Sequence, residues 1–100
     1  MKLLTKEIKK KIPALYSQDG VEDPMVYAKL FNPYGRGTWL ATEFDGDDTF
    51  FGCVKIFADW ELGYFSLKEL SDLRVFNNGV PAIERDRYFT PCLLSEAKNL

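Results

Sequence analysis

Any acid–base chemistry of this chain must use carboxylates, Lys, Tyr or Arg, because the sequence contains no histidine. Imidazole bases, Ser-His pairs and His-ligated zinc are thereby excluded. Glu84 and Asp86 point to the same side if their segment is extended, and with Glu43 they could hold Mg²⁺ or transfer protons. Charged residues near a core usually arrive paired, and Arg85 and Arg87 lie beside these acids. We therefore favour a salt-bridge network and predict no bound metal, no cofactor and no catalytic residue.

A second acidic group lies in the segment Asp45-Gly46-Asp47-Asp48. Clustered carboxylates are what calcium prefers, but the spaced acids and distal Glu of an EF-hand are absent from the sequence. Asp and Gly are also the residues that a hairpin turn needs. We therefore interpret this segment as a structural turn.

Aromatic side chains suggest a binding surface on one face of a predicted sheet. If the hairpin loops are 33–37 and 46–48, alternate strand residues share a face. The candidate binding face consists of Tyr27, Phe31, Trp39 and Lys55. Large aromatics beside a positive charge are typical of protein interfaces.

The same register places Glu43 diagonally from Lys29, within reach of an ion pair, and Lys55 beside the ring of Trp39. Ordinary sheet chemistry favours an alternative, in which helices cover one face and these charges simply pair on the open face. A shift of one residue in either loop would divide the set between the two faces.

Periodicity and turn signals define the elements that position these residues. Thr5 can cap a helix over 6–11, which Ile12-Pro13 ends. Apolar alternation between turn clusters predicts an antiparallel meander. Its strands are expected at 25–32, 38–45, 49–58 and 61–65.

At Ser66 the hydrophobic period changes from that of a strand to that of a helix. Ser66 and Glu69 have the spacing of a capping box, and Asn77-Asn78-Gly79 would end the segment that follows. Residues 83–89 are expected to form a last strand or an extended segment, and 93–100 a terminal helical turn. The prediction is an α+β fold: an antiparallel sheet of four to five strands, with two or three short helices packed mainly on one face.

Composition limits the remaining possibilities. One hundred residues predict one domain over 1–100, with no apolar run long enough for a membrane span and no sign of a signal peptide, so a cytoplasmic protein is expected. Cys53 and Cys92 are then expected to be free thiols. A net charge of −2 argues against a nucleic-acid partner, and the lysines near the N-terminus are expected to form a solvated helix face.

The chain resembles the family of small proteins known as domain of unknown function 2958 (DUF2958). The segments that carry the resemblance are Leu3-Leu4-Thr5-Lys6-Glu7-Ile8, Trp39-Leu40-Ala41-Thr42-Glu43-Phe44-Asp45, Phe51-Gly52, Gly63-Tyr64-Phe65-Ser66-Leu67-Lys68-Glu69-Leu70 and Ile83-Glu84-Arg85-Asp86-Arg87-Tyr88-Phe89. The resemblance implies an accessory protein of bacterial plasmids, phages or other mobile elements. It supplies no catalytic motif.

Three functions follow from these residues, in decreasing order of support. The first is a non-enzymatic module that binds another protein. The second is a metal-assisted enzyme that uses Glu43, Glu84 and Asp86, and the third is a weak nucleic-acid accessory that uses the N-terminal lysines and exposed aromatics. The missing histidines and the mild net charge set this order.

Overall fold

The computed structural model describes residues 2–100, so Met1, where the predicted domain begins, lies outside the described residues. Short helices and strands alternate along the described part of the chain. In order, they are α1 (Lys6–Lys11), β1 (Met25–Val26), β2 (Ala28–Phe31), β3 (Thr38–Phe44), β4 (Thr49–Lys55), β5 (Trp60–Ser66), α2 (Leu67–Asp72), β6 (Arg74–Val75), β7 (Val80–Pro81), β8 (Glu84–Arg85), β9 (Cys92–Leu93) and α3 (Leu94–Ala97).

A five-stranded sheet forms the centre of the fold, in the order β5-β4-β3-β2-β8. All of its neighbouring strands are antiparallel, and β2 to β5 follow one another as a meander. Short turns allow this arrangement because antiparallel neighbours need no long crossover. The predicted α+β fold is confirmed.

Two apolar clusters cover the two faces of this sheet. The first includes Leu30, Trp39 and Phe50, and it packs against α1, α2 and the segment before β8. The second is smaller and joins Leu40 and Cys53 to α3. Two of the three helices therefore lie on the first face, which agrees with the predicted packing.

The two longer helices begin where the sequence predicts. The hydroxyl of Thr5 accepts from the backbone N–H of Ile8, and that of Ser66 accepts from the N–H of Glu69. The predicted capping box is modified, because Ser66 also donates to the carboxylate of Asp48, which accepts from the N–H of Lys68. Asp48, in the turn between β3 and β4, thus holds the start of α2.

Replacing Ser66 with Ala is expected to lower the free energy of unfolding by about 0.5–2 kcal/mol, because the first turn of α2 loses its cap. Urea denaturation measures this change. Ser71→Ala is a matched control, since Ser71 is an exposed residue within α2. Equal midpoints for the two variants would show that the cap contributes nothing.

Several element boundaries differ from the predictions. The expected strand 25–32 is divided at Tyr27, so that β1 pairs with β9 while β2 pairs with β3. The strand expected at 49–58 ends at Lys55, and only Glu84–Arg85 of the segment 83–89 pairs, at the edge of the sheet.

The segment Asn77-Asn78-Gly79 does not end a helix. Helix α2 stops at Asp72, and the positive φ angles of Phe76, Asn77 and Asn78 instead close the hairpin between β6 and β7. Among residues 2–100, none of the helices has the length and apolar character needed to cross a membrane.

Candidate functional site: a tyrosine-rimmed cleft

The predicted aromatic face is divided by the strand register. Trp39 lies between Leu30 and Val54 in the sheet, whereas Lys55 is opposite Thr38. Trp39 therefore points to the first face, where it is only 8% exposed. The prediction that Trp39 shares a surface with Phe31 and Lys55 is wrong.

Two local features cause this difference. The loop between β2 and β3 is one residue longer than assumed, because Phe31 pairs with Thr38 and the N–H of Asn32 donates to the carbonyl of Gly37. A β-bulge between Ala41 and Glu43 then shifts the pairing with β4 by one residue. Each change of one residue moves a side chain to the opposite face.

The other members of the predicted face also have different neighbours. Lys55 lies over the ring of Trp60, 5.6 Å from its centroid, and not beside Trp39. Tyr27 packs against the first apolar cluster. Tyr27, Phe31, Trp39 and Lys55 therefore do not form one continuous surface.

The three candidate carboxylates are not brought together either. Glu84 on β8 and Thr38 on β3 are the two cross-strand neighbours of Phe31. Glu43 lies on β3 as well, five residues after Thr38. At the usual rise of a strand this places Glu43 roughly 16 Å from that end of β3. Asp86 pairs with Lys29 at 4.0 Å, in place of the predicted Lys29–Glu43 pair. Among residues 2–100, no group of three or more potential metal-ligating acids or cysteines occurs.

The first acid of the turn at 45–48 forms hydrogen bonds with the backbone of the turn. One carboxylate oxygen of Asp45 accepts from the N–H groups of Asp47, Asp48 and Thr49. These hydrogen bonds favour the ionised acid and hold the pKa of Asp45 below its usual value. The geometry agrees with the structural interpretation of this turn.

Both cysteines are free thiols, as predicted. Burial raises the pKa of Cys53 and also that of Cys92. Each thiol is therefore protonated at neutral pH and is a poor nucleophile.

Glu43 is the most unusual residue of the sheet, because its charge is buried. The bulge turns Glu43 onto the second face, where its side chain is 4% exposed. Its two carboxylate oxygens accept from the backbone N–H groups of Tyr16, at 2.8 Å, and Gln18, at 2.7 Å. Glu43 thereby fixes the loop between α1 and β1 onto the sheet.

The side chain of Gln18 completes this attachment. Its amide nitrogen donates to the carbonyls of Met25 and Thr42, and its oxygen accepts from the N–H of Met25. Through its nitrogen and its oxygen, the amide of Gln18 therefore holds the loop that carries Tyr16 to β1 and β3. Tyr16 itself has a positive φ of 71°, a conformation that this attachment stabilises.

A cavity of about 300 Å³ opens between this loop and the second face of β3, β4 and β5. Glu43, Phe51 and Tyr64 form one row across the three strands, and the rings of Phe51 and Tyr64 are 4.9 Å apart. Leu62 and Tyr16 complete the rim. We call this site, defined by Tyr16, Glu43, Phe51, Leu62 and Tyr64, the tyrosine cleft.

The apolar rim of the cleft is open to solvent. Tyr16 and Leu62 are each 66% exposed, and Tyr64 is 56% exposed. Grouped aromatic and aliphatic side chains of this kind are typical of surfaces that bind another molecule.

The charged residues that line the tyrosine cleft are all acidic: Asp19, Glu22 and Glu43. A hydrogen bond with Tyr16 is the main cause that raises the pKa of the Tyr64 phenol, and the negative charges of Glu43 and Asp19 add to it. The charges that line the tyrosine cleft therefore all have the same, negative sign.

A second cavity of about 300 Å³ lies between α1 and the segment after β8. Lys11, Arg85 and Arg87 line it together with Glu7 and Asp86. Because charges of both signs are mixed there, this cavity gives no anion site of one sign.

Comparison with known proteins adds the family. The model of the family described as "Protein of unknown function (DUF2958)" matches residues 3–96. The chain belongs to the DUF2958 family. No curated protein and no solved structure matches the chain.

In this DUF2958 protein, sequence reasoning named Glu43 but missed the tyrosines around it. Tyr16 lies in a polar loop of the sequence, far from the predicted strands, and only the contact with Glu43 places it at the sheet. Leu62 and Tyr64 alternate with Glu61 and Gly63 in β5, so their common face was readable from the sequence. The edge position that leaves them exposed was not.

Proposed function

We propose that this DUF2958 protein is a non-enzymatic module that binds another protein through the tyrosine cleft and the adjoining edge of β5. The grouping of exposed Tyr16, Leu62 and Tyr64 around one cavity is the observation that carries the proposal. Tyrosine is among the residue types that dominate interface energetics, because a rigid ring covers much area at a small entropic cost. The accessory role in plasmid or phage biology that the family resemblance implies belongs to this proposal.

The edge of β5 favours a protein partner. Within residues 2–100, β4 is the only strand paired with β5, although β5 is seven residues long. Such an edge presents unpaired backbone groups, and it has neither the Pro nor the Lys that commonly blocks strand addition. An extended segment of a partner can pair with this edge and place alternate side chains beside Leu62 and Tyr64.

The hydrogen bonds of Glu43 support binding over catalysis. Both of its oxygens accept from backbone amides, so protonating the carboxylate would weaken the hydrogen bonds that hold the loop, whereas contact with a cation would leave them in place. A general base needs an oxygen within hydrogen-bond reach of the proton that it takes from a substrate. The chain also has no imidazole to take that role.

Tyr64→Ala is expected to weaken partner capture by about 30-fold or more, which is the loss of a typical interface hot spot. The immobilised full chain is exposed to an extract of its source cells, and captured proteins are quantified by mass spectrometry. Leu62→Ala is expected to weaken capture of the same protein. Tyr88→Ala is the matched control, since Tyr88 is 91% exposed and does not line the cleft.

Three results are informative. A protein retained by wild type and Tyr88→Ala but lost by both cleft variants supports the proposal. The same proteins captured equally by all four baits would overturn it, and so would the absence of any captured protein.

A further inference from the structure

We propose that the tyrosine cleft receives a cationic side chain, Lys or Arg, from an extended basic segment of the partner protein. This inference rests on the proposed function and adds the chemistry of the partner. It is carried by the unpaired charge of Glu43, the sign of the surrounding charges and the rings at the rim.

The charge of Glu43 has no cationic partner among the described residues, where its carboxylate accepts only from the backbone N–H groups of Tyr16 and Gln18. Two amide N–H groups stabilise the carboxylate but do not neutralise it. A buried charge without a counter-charge is costly, and an added cation reduces that cost. A positively charged ligand is therefore favoured at this position over a neutral one.

The residues around Glu43 have the same preference. Asp19 and Glu22 add negative charge at the exposed mouth, and the lining of the cleft in the described chain includes no Lys or Arg. The negative charges of Glu43 and Asp19 are close enough to Tyr64 to add to the rise in its pKa, of which the hydrogen bond with Tyr16 is the main cause. Complementary charge would steer a basic segment towards the cleft and fix its register.

The rings supply a second kind of attraction. Tyr16, Phe51 and Tyr64 line the same cavity, and a cation within about 6 Å of an aromatic face is attracted by the ring quadrupole. A cavity of about 300 Å³ is at the lower limit for small-molecule sites, so it suits one long side chain better than a large ligand. Aliphatic stems of Lys and Arg can also pack on Leu62.

The test uses the isotope-labelled full chain and four capped tripeptides, acetyl-Gly-Xaa-Gly-amide, in which Xaa is Arg, Lys, citrulline or Glu. Citrulline has nearly the shape of Arg without its charge. Each peptide is titrated to about 10 mM while amide resonances are followed by NMR. We expect saturable shifts at Tyr16, Gln18 and Tyr64 with Arg and Lys, and at least about 10-fold weaker binding of citrulline and Glu.

Two acid variants test the origin of the preference. Asp19→Asn combined with Glu22→Gln changes two exposed side chains, and it is expected to weaken Arg binding several-fold and to reduce its salt dependence. Glu43→Gln is expected to abolish the preference for Arg over citrulline. Gln cannot accept from both amides, so the result for Glu43→Gln counts only if its NMR spectrum is that of a folded protein. If Glu43→Gln unfolds, the double variant Asp19→Asn/Glu22→Gln decides the test. Asp72→Asn, an exposed acid on α2, is the control.

The outcomes separate this inference from the proposed function. Absence of saturable shifts, or equal binding of Arg and citrulline, would overturn the cation site even if Tyr64→Ala still abolishes partner capture. Conversely, Arg binding at Tyr16 and Tyr64 without any captured protein that depends on Tyr64 would leave a cation site and overturn the protein-binding function. Loss of both the captured partner and the Arg preference in the acid variants would support the two together.

Discussion

Trp39→Ala is expected to lower the free energy of unfolding by about 3–5 kcal/mol, the usual cost of removing a large aromatic side chain from a core. The indole is 8% exposed and belongs to the first apolar cluster, together with Leu30 and Phe50. Its neighbours in the sheet are held by backbone pairing on both sides, so they cannot collapse into the space that it leaves. Urea denaturation followed by circular dichroism measures the loss.

Tyr88→Ala is the control for this measurement as well. Because Tyr88 is almost fully exposed, its removal is expected to change the free energy of unfolding by no more than about 0.5 kcal/mol. A loss below about 1 kcal/mol for Trp39→Ala would contradict the buried position, and it would restore the hypothesis that Trp39 belongs to a binding surface.

Gly52→Ala is expected to lower the free energy of unfolding by about 3 kcal/mol or more, the upper end for an overpacked site, or to prevent folding. A Cβ atom at Gly52 would overlap the backbone carbonyl of Leu40 on the neighbouring strand. The obstacle is part of the hydrogen-bonded ladder between β3 and β4, so it cannot move as a flexible side chain would. The substitution therefore forces the two strands apart beside the bulge that positions Glu43.

Gly63→Ala provides the matched control, since Gly63 is the cross-strand partner of Gly52 and nothing lies within 4 Å of its added Cβ. This variant is expected to be neutral or more stable by about 0.5–1 kcal/mol, because Ala loses less backbone entropy than Gly on folding. Thermal and urea unfolding measure the stabilities of Gly52→Ala and Gly63→Ala relative to the wild type. Equal stability of the two would show that the strands can separate at Gly52 without cost.

Local signals in the sequence predicted the elements well. Thr5 and Ser66 begin helices because their hydroxyls can satisfy free N–H groups within one turn, which depends on nearby residues alone. The turn at Asp45–Asp48 was equally readable, since Asp45 bonds to the backbone directly after it. Short turns between apolar strands then implied the antiparallel order.

The register of the sheet was not readable in the same way. Near the Asp45–Asp48 turn the assumed pairing of Glu43 with Phe51 is correct, but beyond the bulge the assumed pairing of Trp39 with Lys55 is wrong. A bulge adds one residue to one strand of a pair, and no residue type in β3 indicated its position. The bulge separates Trp39 from Lys55, and the longer loop between β2 and β3 separates it from Phe31, so the predicted surface is wrong.

The sequence by itself determined the starts of α1 and α2, the turn at Asp45–Asp48, the α+β class and the exclusion of imidazole chemistry, because each depends on composition or on contacts within a few residues. Only the tertiary structure decided which side chains share a face and which strand lies at the edge. Tyr16 and Glu43 are 27 positions apart in sequence, and their hydrogen bond depends on the bulge in β3 and on the path of a long loop. The tyrosine cleft forms because the loop that carries Tyr16 packs against β3, β4 and β5, and local sequence patterns do not indicate contacts between segments so far apart.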